Sequence, residues 1–254
     1  MLHKASKRLT VFVFSFLLFS GMGYAVQTKK KPVRRSTAAS TVTGRAARAK
    51  APVRKRARYS PWTEPTYADS TAGDNVDGED LVVRRAAVEA LGPYNGTVVV
   101  ADPNNGRVLS IVNQRLALKS GFQPCSTIKL VAALAALSEG LVDRETMLRV
   151  YGRKRMNLTE ALAHSNNPYF SHLGVKLGYD RVAYYARLFG LGERAGLDIQ
   201  GEQPGVFPQI PPKEGGVGMM TSFGEGISLT PLELAGLLGA MANGGTLHYL
   251  QYPR

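Results

Sequence analysis

Gln123-Pro124-Cys125-Ser126-Thr127-Ile128-Lys129 is the stretch on which the fold reading turns. Pro124 pre-sets the entry to a helix, so Ser126 falls in the first turn, and Lys129 follows three residues later on the same face. The amine of Lys129 can therefore reach the Ser126 hydroxyl. Apolar helix around that lysine lowers its pKa by desolvation, which lets it accept the serine proton. The helix start also offers backbone N–H groups to a developing oxyanion. Taken alone, Ser-x-x-Lys is a weak pattern, since a serine capping a helix with an exposed lysine one turn on explains most such matches.

A second stretch changes that balance. Ser165-Asn166-Asn167 lies on a short loop between a helical pattern ending near Ala163 and another beginning at Pro168. A serine hydroxyl there can relay a proton between Lys129 and a leaving amine, and an asparagine amide can hold a peptide carbonyl. Asn167 also reads as a helix cap before Pro168, a role compatible with substrate contact.

Periodicity around these stretches predicts a helix over Leu81–Leu91, stopped by Gly92-Pro93, and two strands, Thr97–Ala101 and Arg107–Val112, turned at Asn105-Gly106. Helical patterns follow over Ser126–Glu139, Leu158–Ala163, Pro168–Leu177, Asp180–Phe189 and Pro231–Met241. Thr230-Pro231-Leu232-Glu233 carries the punctuation of a capping box. Met219, Met220 and Phe223, set among glycines, read as loop packing. Asn157 with Glu160 reads as a helix start.

The N-terminal third has another character. Lys4, Lys7 and Arg8 precede an uncharged run, Leu9 to Val26, which is an export signal or a short membrane anchor. Gly23-Tyr24-Ala25 suits cleavage after Ala25, whereas the cations after the run favour a cytoplasmic C-terminal side, so topology stays open. Residues 27–80 read as a disordered basic linker, too poor in apolar residues to offset its ordering entropy. Of the 32 Lys and Arg in the chain, 15 precede Glu64, the first acid, so the net charge of +13 belongs to this tail. Such a tail is attracted to anionic membrane or cell-wall polymers. Nucleic acid would attract it too, but no aromatic residues interleave these cations and an exported chain meets none.

Five motifs then follow one another as in the penicillin-binding proteins. They are Asp102-Pro103-x-x-Gly106-x-Val108-Leu109, Pro124-x-Ser126-Thr127-x-Lys129, Ser165-x-Asn167-Pro168-Tyr169-Phe170, Gly224-x-Gly226-x-x-x-Thr230-Pro231-Leu232-x-Leu234-Ala235, and Ala242-Asn243-Gly244-Gly245. From about Leu81 to Leu247 the chain resembles their D,D-transpeptidase domain. The resemblance implies an α/β fold of the α+β type, a helical cluster packed on an antiparallel sheet. It also implies a serine acyl-transferase that crosslinks peptidoglycan stem peptides and is acylated by β-lactams. It carries over Ser126 as nucleophile, Lys129 as general base, Ser165 as proton relay and Asn167 as substrate contact, with no cofactor.

Two departures accompany it. Cys125 stands where the family usually has glycine, and it reads as a small buried residue because no histidine is placed to activate a thiol. No K-[TS]-G segment follows Gly245, so the sequence predicts an incomplete sheet, a truncated domain and an irregular tail over residues 248–254.

The remaining classes are weaker. One cysteine excludes an internal disulfide and a Cys-based zinc site, and His164 and His172 lack a third metal ligand at suitable spacing. A serine β-lactamase would need a segment such as E-x-x-L-N to position water, and none is present. A non-catalytic β-lactam or peptidoglycan sensor, and a nucleic-acid binder built on the basic tail, complete the alternatives.

Overall fold

Asp80 opens the first helix, α1 (Leu81–Leu91), because its carboxylate accepts hydrogen bonds from the otherwise orphaned N–H groups of Val82 and Val83. Gly92, at φ 60°, closes it. The computed structural model describes residues 64–252; within it, Pro65 onward forms one compact unit. The apolar run Leu9–Val26 and the basic stretch to Arg58 lie outside the described residues. Among the described residues no helix is long and apolar enough to cross a membrane.

Strands β1 (Val98–Ala101) and β2 (Val108–Val112) form an antiparallel hairpin with Val99 opposite Ile111. Its turn is held by the Asp102 carboxylate, which accepts the Asn104 N–H at 2.9 Å. A four-residue helix, α2 (Gln114–Ala117), follows at once. Beyond it the chain is mainly helical: α3 (Lys129–Ser138), the hairpin β3 (Leu148–Tyr151) and β4 (Lys154–Met156), α4 (Leu158–Ala163), α5 (Asn167–Leu188), α6 (Gly216–Phe223) and α7 (Pro231–Ala242). The main core joins Val131, Ala132 and Ala135 of α3 to Phe170 and Leu173 of α5, Met220 of α6 and Leu237 of α7. A smaller core, Val108, Ile111, Ala117, Leu232 and Leu250, sits under the first hairpin, so α7 contributes to both.

Three sequence expectations need correction. The helix expected from Ser126 begins as a 3₁₀ turn, Cys125–Ile128, and becomes α-helical only at Lys129. The two helices expected over Pro168–Leu177 and Asp180–Phe189 are present as the two halves of α5, separated at Gly178, whose φ of 74° and ψ of 162° fit neither half.

The glycine-rich loop around Met219 is helix α6, with Met220 fully buried. Its small residues make a close contact instead of a break. A Cβ on Gly174 of α5 would run into Thr221 Oγ1 of α6, and one on Gly218 would meet Ser171 Oγ. Thr221 completes the joint by donating to the Phe170 carbonyl at 2.9 Å. Gly174→Ala is accordingly expected to cost about 1–3 kcal/mol, seen as a lower urea midpoint at unchanged slope.

The third correction concerns both ends of the domain. Residues 64–80, expected as linker, pack onto it: Tyr67 stacks on Tyr94 at 5.5 Å, and Ser70 donates to the Tyr94 carbonyl. Arg84, Asp74 and Glu79 form a buried ion triad, with N–O distances of 2.7 Å to Asp74 and 3.0 Å to Glu79. Asp74 also accepts the N–H groups of Asn113 and Gln114 at the start of α2. The expected irregular tail is paired as well. Gln251 bridges Arg107 beside β2, Leu250 bridges Gly196, and the Tyr252 hydroxyl donates to Glu79 at 2.7 Å. Burial alone would raise the Glu79 pKa, but hydrogen bonds from Tyr252, Ile111, Ser110 and Arg84 outweigh it and hold the carboxyl below its ordinary value.

Candidate active site

The 3₁₀ turn presents Ser126 to solvent while the first residue of α3, Lys129, is turned inward and only 2% exposed. From there Lys129 Nζ reaches Ser126 Oγ at 2.9 Å, Ser165 Oγ at 2.8 Å, the Ser165 carbonyl at 2.9 Å and Asn167 Oδ1 at 2.6 Å. Ser165 Oγ donates to Ser126 Oγ at 2.9 Å. All four residues singled out in the sequence thus meet around one amine.

Burial pushes the Lys129 pKa down to about 8, and no carboxylate in the described residues offsets it with an ion pair. A neutral amine has two N–H groups and one lone pair. The Ser165 carbonyl and Asn167 Oδ1 can only accept, so they take the two N–H groups. The lone pair is left to face the hydroxyls, which is the arrangement a general base needs toward Ser126.

The loop that supplies Ser165 and Asn167 is fixed on both sides. Asn157 and Glu160 cap α4 reciprocally. Asn166 is the cap of α5, its Oδ1 accepting the Tyr169 N–H at 2.9 Å. The capping role that Asn167 could have filled belongs to its neighbour, which leaves Asn167 exposed and aimed at Lys129. Ser165 itself sits at φ 47°, a left-handed conformation that turns its own carbonyl onto Lys129.

Sequence reasoning missed the floor under Ser126. Phe122 and Leu229 exchange backbone hydrogen bonds of 3.0 and 2.8 Å, and Ser228 Oγ donates to the Ser120 carbonyl at 2.6 Å. Gly224, at φ 75°, lies so close that a Cβ would stand 2.5 Å from Pro124 Cγ. The Gly224-x-Gly226 spacing was the available signal. Cys125, at φ 48°, occupies a conformation that favours glycine, which is why the departure from glycine falls at a strained point. Its thiol pKa is raised by burial, with the Lys129 charge acting the other way. His164 and His172 are exposed, and no group of three metal-ligating side chains occurs among the described residues.

The sequence profile of the penicillin binding protein transpeptidase domain matches residues 96–253. The chain belongs to this family. Stage V sporulation protein D of Bacillus subtilis is 31% identical over 193 residues, which cover 61% of this chain and 29% of that protein. Penicillin-binding protein PbpB of Mycobacterium tuberculosis is 31% identical over 188 residues, covering 61% and 28%. The chain therefore spans less than a third of the length of these curated relatives. The crystal structure of Pseudomonas aeruginosa PBP2 in complex with WCK 5153 superposes with a TM-score of 0.62 at 24% identity, over 68% of this chain and 52% of that one, and so shares its fold. Among penicillin-binding transpeptidases, then, this chain has the expected mixed architecture of helices on small antiparallel sheets.

Proposed function

We propose that this penicillin-binding transpeptidase domain is a serine acyl-transferase of the D,D-transpeptidase type, acting on peptidoglycan stem peptides through an acyl-Ser126 intermediate. The observation that carries the reading is the desolvated amine of Lys129 held 2.9 Å from an exposed Ser126 hydroxyl. Lys129 takes the Ser126 proton as Oγ attacks the substrate carbonyl, forming the C–O bond. Ser165, in contact with both groups, returns a proton to the leaving amine as the C–N bond breaks. Asn167 has its Oδ1 on Lys129 and its amide N–H groups available to the substrate's peptide carbonyl. An incoming amine then attacks the ester and restores Ser126.

A β-lactam mimics the first step and leaves the acyl group in place. Incubation of the full chain with labelled penicillin is expected to place the label on Ser126, with one burst and no continuing turnover. Absence of label, or sustained hydrolysis, would overturn this reading in favour of a binder or a β-lactamase. The family works on the extracytoplasmic side of the membrane, and the run Leu9–Val26 supplies the export signal or anchor that this requires.

A further inference from the structure

The β3–β4 hairpin has one face in the core and one in solvent. Leu148 pairs with Met156, and these two with Val150 pack against the main cluster. On the solvent side Arg149 stands opposite Arg155, and Tyr151 opposite Lys154, with Arg153 in the turn. All five are exposed, Tyr151 by 62%. None of the four cations forms an ion pair among the described residues. The nearest acids in sequence do not neutralise them. Asp143 spends its carboxylate on Thr146 and the Glu145 N–H, and Glu145 is exposed at the base.

Like charges directly opposite one another weaken a ladder, and a hairpin this short has little stability to spare. Facing Cβ atoms lie about 5 Å apart, so the two exposed guanidinium forks have the reach to bond one carboxylate from both sides. The hairpin also stands near the chemistry. β4 leads through Asn157 into α4, whose six residues span about 9 Å and end at the Ser165 turn. A polymeric substrate engaged at Ser126 extends that far beyond the reacting bond.

We propose that the solvent face of the β3–β4 hairpin binds carboxylates of the wall peptide, using Arg149 and Arg155 as paired anchors and Lys154 and Tyr151 beside them. This rests on the transpeptidase reading and adds a second contact for the same substrate. With the full chain and soluble peptidoglycan fragments, a carbodiimide is expected to join fragment carboxylates to Lys154 Nζ as an amide. Arg149→Gln with Arg155→Gln is expected to weaken fragment binding roughly tenfold, with a comparable loss when the fragment carboxylates are amidated or the salt is raised. Penicillin labelling of Ser126 should stay within about twofold of the unsubstituted chain, since the small ligand does not reach the hairpin. Cross-links confined to other lysines, unchanged affinity in the double variant, or stronger use of the same arginines on phosphatidylglycerol vesicles would overturn the assignment. If Ser126 labels normally while these results appear, only the hairpin site falls; if the unsubstituted chain never labels, the transpeptidase reading falls with it.

Discussion

Lys129→Ala is expected to slow penicillin acylation of Ser126 by roughly 10²–10⁴-fold, the usual contribution of a general base. Lys129→Arg should lose as much, because a guanidinium keeps its charge and cannot accept the proton. The pH dependence follows from the pKa of about 8. Acylation by the unsubstituted chain should rise with pH through that value and level off above it, as the neutral amine comes to dominate. Stability is linked to the same group. Between about pH 8 and the ordinary lysine value the unfolded chain binds more protons than the folded one, so stability should increase with pH across that window. Below it both states are protonated and the cost of the buried charge is fully felt. A variant lacking the amine that still acylates near the normal rate, or a flat profile from pH 6 to 9, would remove Lys129 from its role.

Arg84→Met tests the other end of the domain and is expected to cost about 3–5 kcal/mol in urea unfolding. The substitution leaves Asp74 and Glu79 as buried carboxylates with their cation gone, their side chains being 2% and 0% exposed. Neutralising all three, with Asp74→Asn and Glu79→Gln added, should recover most of the loss, because the penalty comes from unpaired charge and not from lost attraction. Acid should act in the same sense. The pKa of Glu79 is held below its ordinary value, so its contribution is present above that ordinary value and disappears as pH falls through the folded one. Were residues 64–80 a loose spacer, Arg84→Met would stay within about 0.5 kcal/mol of neutral.

The contrast between these two regions shows what the sequence could reveal. Ser126, Lys129, Ser165 and Asn167 were legible because short-range spacing and capping chemistry govern their placement. Helices α1 and α4 follow the expected bounds for the same reason: Asp80 and Asn157 mark their starts locally. Residues 64–80 were not legible because the composition rule weighs apolar burial, whereas this segment is fixed by carboxylates meeting partners far along the chain, such as Asn113 and Tyr252. Helix α6 was hidden because glycine signals flexibility in sequence, while Gly218 is there to let Ser171 approach. The 3₁₀ turn beneath Ser126 depends on Gly224 and Leu229, about a hundred residues away, and no local pattern carries that.

The clasp of Tyr252 onto Glu79 and Asn75 gives the domain an unusual mechanical layout. It ties residue 252 to the segment before α1, 177 and 173 residues away in sequence. Because that closure rests on one hydroxyl, Tyr252→Phe would open it while leaving the contacts of Lys129 with Ser126, Ser165 and Asn167 in place.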